Sequence, residues 1–166
     1  MREAAEKRGP MDDLVVARLL HVLAVVLWIG GVGFVATALL PALRRGPSAS
    51  EGLRLFHLLE RRFARQARVT TLLAGLSGLY LVWRLDLWSR FADPSFWWMH
   101  AMVALWLVFT AMLFVIEPVF LDRRLAERAA RDPEGTLLLI GRLHLVLLAA
   151  SLITVGAAVA GSHGGF

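Results

Sequence analysis

The chain has no cysteine, which removes disulfides, thiolate metal sites and cysteine nucleophiles together. Metal chemistry, if there is any, falls to His, Met or carboxylates. No phosphate-cradling glycine loop and no serine or cysteine nucleophile elbow is present, so hydrolysis and nucleotide-driven transport have no support. Charge is also sparse, at 19% of 166 residues against 58% hydrophobic content, with a mean hydropathy of +0.64. That balance excludes an ordinary soluble domain. The net charge of +5 does not indicate nucleic acid, because the arginines sit in short segments beside apolar runs and do not cover one soluble face.

What the chain has instead is long apolar runs. Four spans are expected, at Leu14 to Leu40, Val69 to Trp88, Phe96 to Phe120 and Leu137 to Ala160, each near or above the roughly 20 residues that cross a bilayer. The first covers about 40 Å at about 1.5 Å per residue, too long for a core helix. It also far exceeds a signal-peptide core, so it is expected to be retained as a transmembrane helix. The prediction is all-α: one integral membrane domain over 1–166, a four-helix transmembrane bundle in the lipid bilayer.

The first span is expected to end at Pro41. Ser48 and Glu51 then have capping-box spacing, and Leu53, Phe56, Leu59 and Phe63 form an apolar stripe on an arginine-rich segment. An amphipathic helix over about 49–66 follows, either lying at the interface or extending the second span. Thr70, Thr71, Gly75, Ser77 and Gly78 resemble a small-residue packing face. Phe96, Trp97 and Trp98 read as an aromatic belt, and Glu117 near the far end of the third span has Arg123 or Arg124 as its simplest partner. Lys and Arg concentrate in the connectors joining spans one to two and three to four. The positive-inside rule puts those connectors in the cytoplasm and both termini outside, as in a bacterial inner membrane.

Histidines within such spans are costly without a partner. His21 lies about 10 Å inside the first span, with Trp28 two turns on along one face and Gly30, Gly31 and Gly33 just beyond. His100 lies about 6 Å inside the third span, in the same leaflet. Two histidines from different helices at one depth suit axial ligation of a haem iron. Gly31, Gly75, Gly78 and Ala104 would make room for the porphyrin, and Arg18, Arg84 or Arg90 would meet its propionates. The plainer alternatives are a His21 hydrogen-bonded to a neighbouring carbonyl and an interfacial His100 beside the tryptophans. His144 in the opposite leaflet could hold a second haem, with His57 or a non-protein ligand completing the iron and Arg142 serving a propionate. The plainer reading of His57 is a solvated interfacial residue, and of His163 part of a mobile tail. Copper is the competing metal, with Met99, His100, Met102 and His163 as its ligands.

The order His21, Trp28, Gly30, Gly31, Phe34 resembles the first helix of CopD-type copper-resistance membrane proteins and HemJ-type protoporphyrinogen oxidases. Trp98, Met99 and His100 resemble the HemJ-type third helix, where a lysine follows two positions after the histidine; here that place is Met102. The resemblance covers about residues 14–160. It implies a four-helix bundle that binds haem b more than a particular reaction; a haem-dependent membrane oxidoreductase stays open, with the missing lysine weighing against the HemJ-type oxidase activity.

The expected function is therefore a membrane cytochrome: haem b held by two histidines, with one haem or two, and electrons passed within or across the membrane. A quinone or a redox partner protein would exchange those electrons, and a homo-oligomer could complete the ligation. Copper binding or transport of the CopD type is the alternative.

Overall fold

The structure, a computed structural model, describes residues 10–46 and 48–165; the description excludes the side chains of 10, 11, 117–123, 125 and 126. The described residues are almost entirely helical. Helix α1 (Pro10–Phe34) runs through a π-helical turn (Val35–Leu39) into α2 (Leu40–Arg44). Helix α3 (Ala49–Arg84) is followed by two 3-10 turns (Leu87–Ala92 and Pro94–Phe96). Helix α4 (Trp97–Ala111) continues as a π-helix (Met112–Leu121) into α5 (Asp122–Arg131), and α6 (Pro133–Ser162) closes the chain.

Three helical stretches are long and apolar enough to cross a membrane: Asp12–Arg44, Pro94–Ile116 and Pro133–Ser162. The first does not stop at Pro41 as expected. The proline sits in the opening turn of α2, where a missing backbone N–H is tolerated, and the helix reaches Arg44. The second expected span, Val69 to Trp88, differs more. Its apolar stretch lies between Arg68 and Arg84, is diluted by Thr70, Thr71 and Ser77, and ends when Asp86 turns left-handed at φ 50°. Trp88 therefore belongs to a 3-10 turn and not to a span.

The expected separate segment over 49–66 is the first half of α3, whose 36 residues cover about 54 Å without a break. Ser48 caps it by accepting the Glu51 N–H at 3.2 Å. The reciprocal half of the capping box is absent, because the Glu51 carboxylate bonds Arg54 instead. Leu53 and Phe56 on this half are buried with Val35, Leu40, Leu137 and Ile140, and Phe63 packs against them. Leu59 is exposed.

Burial runs opposite to a soluble protein. Thr71, Thr136 and Ser151 are fully enclosed, while Val15, Leu76, Val146 and Ile153 are mostly exposed. Small and hydroxyl residues let helix backbones approach, and aliphatic residues facing outward suit a lipid solvent. Helix α1 lies chiefly along α3; α6 touches α1, α3 and α4, and α4 also leans on α3. A central apolar cluster of Ala24, Trp28, Ile29, Val32, Ala74 and Phe109 joins α1, α3 and α4.

Candidate functional site

His21 projects from α1 onto α3. Its Nδ1 lies 2.9 Å from the carbonyl oxygen of Ala74 and 3.2 Å from Ser77 Oγ. A carbonyl only accepts, so Nδ1 carries the proton and Nε2 holds the lone pair. Nε2 has no hydrogen-bond partner among the described residues. Gly78 makes this placement fit, since a Cβ there would come within 3.0 Å of the imidazole. The carbonyl-bonded alternative for His21 is thus what Nδ1 does, and it leaves the other nitrogen open.

Beside this pair of helices runs an open groove of about 460 Å³ between the first turns of α1 and the last turns of α3. Val16, Ala17, Leu20, Leu73 and Leu76 wall it, Ser77 and Tyr80 give it hydroxyls, and Asp12 and Asp13 stand at its mouth. Arg18 is exposed and does not line it.

His100 does not meet His21. It lies about two and a half turns before Phe109 on α4, hence on the opposite face. Phe109 faces Trp28 across the bundle, with ring centroids 4.8 Å apart and edge to face. His100 is exposed and touches the ring of Phe91 at 5.4 Å. One helix rotation therefore separates two histidines that sequence spacing put at one depth.

Of the small residues expected to admit a porphyrin, Gly31 and Gly75 are occupied from within, Gly78 seats His21 and Ala104 is exposed. A Cβ on Gly31 would strike the ring of Phe63, and one on Gly75 would come within 2.5 Å of the Trp106 indole. Gly161, not singled out from sequence, receives Trp98 in the same way. Trp28 is a core residue, 5% exposed. Glycine spacing signals a close approach, but only packing shows whether a backbone, a ring or a ligand makes it.

At the other end of the bundle His57 and His144 flank one buried ring, Phe56, with centroids 6.1 and 6.2 Å away. Each Nδ1 donates to the carbonyl four residues back, His57 to Leu53 at 2.8 Å and His144 to Ile140 at 2.9 Å. Arg142 beside them is exposed, Arg84 is half-buried, and Arg90 stacks over Phe96 at 4.9 Å. The suggested Glu117 pairing lies outside the described side chains. Met99 is buried against Trp98 and Ala157, with Met102 packed on that cluster, while His163 donates to the carbonyl of Val159 at the exposed end of α6. No cluster of three or more His, Cys, Asp or Glu side chains that could hold a metal ion occurs among the described residues. Arg68 was not singled out from sequence, yet its Nε donates to the carbonyl of Leu113 at 3.0 Å and joins α3 to the start of the π-helix.

Compared with known proteins, the chain matches no family model, no curated protein and no solved structure.

Proposed function

We propose that this is a four-crossing integral membrane protein that binds b-type haem with His21 as an axial ligand. The observation that carries the proposal is the presentation of His21. Its Nδ1–H is anchored on Ala74 while Nε2 is unpartnered, the arrangement in which an outer hydrogen bond fixes the tautomer and direction of a ligating imidazole. The neighbouring groove, whose lining includes Ser77 but not His21 itself, has aliphatic walls from Val16, Leu20, Leu73 and Leu76 that suit a macrocycle's face, with the Tyr80 and Ser77 hydroxyls at its edge. Bound haem supplies one-electron redox chemistry; the chain's part is to hold the ring, orient His21 and keep water away. Asp12 and Asp13 at the groove mouth would oppose propionates there, and the half-buried Arg84 or the exposed Arg18 would be the residues to hold them.

The fourth crossing is the second half of α3. Thr70, Thr71 and Ala74 are buried, and α1 and α4 bond to this stretch through His21 and Trp106. Neighbouring helices shield its hydroxyls, so it needs less apolar surface than a helix facing lipid on all sides. The arginine-rich connectors then lie in the cytoplasm, with both termini across the membrane. Nothing in the arrangement favours copper, because the Met99 thioether is committed to the core and His100 faces outward.

The test is a reduced-minus-oxidised spectrum of the detergent-purified protein with a pyridine haemochrome count. A b-type spectrum that His21→Ala abolishes is expected. Loss in His100→Ala as well would show that a second copy or a turned α4 supplies the other axial ligand. An unchanged spectrum in His21→Ala would move the haem to the Phe56 end, where His57→Ala and His144→Ala report on it.

A further inference from the structure

Three enclosed polar atoms have no hydrogen-bond partner among the described residues: Trp28 Nε1 on α1, Thr71 Oγ1 on α3 and Thr110 Oγ1 on α4. Thr71 is 0% exposed. The two threonines depart from the habit of the other hydroxyls. Thr37, Thr70, Ser77, Thr136, Ser151 and Thr154 all donate to the carbonyl four residues back. That bond is open to any helical threonine and is not taken at 71 or 110.

The three residues are joined by one chain of contacts among α1, α3 and α4. Trp28 is edge to face with Phe109, the residue before Thr110. Thr110 stands one turn beyond Trp106 on α4, and the Trp106 indole donates to the carbonyl of Thr71 at 2.9 Å. Thr71 in turn lies one turn before Ala74, which packs in the same cluster as Trp28 and Phe109. Burying three such groups unpaired is expensive anywhere, and more so where the surroundings are hydrocarbon.

We propose that these three residues hold one internal water molecule that bridges α1, α3 and α4. It accepts from the Trp28 indole N–H and bonds both threonine hydroxyls, the three partners that a buried water ordinarily has. An indole N–H can only donate and each hydroxyl can donate or accept, so one water satisfies all three. The site is independent of haem binding at His21, and its test needs no cofactor.

The experiment uses the full chain in detergent and compares thermal unfolding of Thr71→Val, Thr110→Val, the double variant and Thr71→Ser. With a bridging water, each valine lowers Tm by about 2–4 °C. The double variant then loses less than the sum, because both hydroxyls serve one water, and serine retains most of the wild-type value. Valine variants that leave Tm unchanged or raise it would mean unpaired hydroxyls with no guest, and would overturn the proposal. So would a Tm that rises with chloride, which would make the guest an anion. The Trp28→Phe difference in ultraviolet resonance Raman is expected to show an indole N–H bonded to oxygen. An N–H directed at the Phe109 ring would sink the bridge.

Discussion

The Trp106 indole fills the space that a side chain at residue 75 would need, and its N–H donates to the Thr71 carbonyl oxygen one turn away at 2.9 Å. One aromatic residue thus joins α4 to α3 by shape and by hydrogen bond.

Gly75→Ala is therefore expected to destabilise the bundle by about 1–3 kcal/mol, the ordinary cost of overpacking a filled site. Thermal unfolding in detergent measures it, and Trp106→Leu in the Gly75→Ala background should recover part of the loss. Equal Tm values for Gly75→Ala and wild type would show that the indole has room to move.

If His21 holds haem as proposed, Ser77→Ala should leave haem per chain unchanged, because the Ala74 carbonyl still holds His21 Nδ1. Gly78→Val should lower it, since a branched side chain there displaces the imidazole. Haemochrome counts on the two variants separate a positioned ligand from a histidine that merely packs.

Asp93 starts the short turn before α4 by accepting the Ser95 backbone N–H at 2.9 Å, and the bonds from Ser95 hold its carboxyl below the usual carboxylate range. A lowered folded-state value stabilises the turn above the unfolded value, about pH 4, and the contribution disappears as pH falls through the lowered one. Hydrogen exchange at Ser95 should accelerate on acidification through that window relative to the change in intrinsic rate. Asp93→Asn should abolish the pH dependence.

The Arg54 to Glu51 pair at 2.7 Å is exposed and one turn apart. Solvent screens such pairs, so Arg54→Ala is expected to leave Tm unchanged within error, and added salt should make no difference between the two proteins. A clear loss would mean that Arg54 has a second role at the surface.

Arg68→Met removes the side-chain donor to the Leu113 carbonyl where α4 widens into its π-helix. A loss of about 1–3 kcal/mol is expected, and hydrogen exchange should rise in the Met112–Leu121 stretch more than in α6. Uniform change across all helices would argue against a local tie.

Much of this architecture follows from the order of residues alone. Apolar runs longer than a bilayer is thick must be helical, because in lipid each backbone group has to be satisfied within its own segment. Ser48 begins α3 for an equally local reason, a hydroxyl placed three residues before an unpaired N–H. The uneven spread of arginine points to an orientation without any fold. Depth along each helix is read from the constant rise per residue, and that is why the sequence puts His21 and His100 at one level.

Rotation about each helix axis and the choice of neighbour are not local, and the tertiary structure decided them. Packing turned Phe109 toward Trp28 and so turned His100 away. It filled the glycine gaps at 31, 75 and 161 with Phe63, Trp106 and Trp98, because a cavity in a close-packed interior loses its dispersion contacts and is filled by the nearest ring. It also set Phe56 between His57 and His144, residues far apart in sequence. Whether an imidazole within a span bonds a carbonyl or keeps a nitrogen open depends on what the facing helix presents at that height, and at His21 that is Ala74, Ser77 and Gly78.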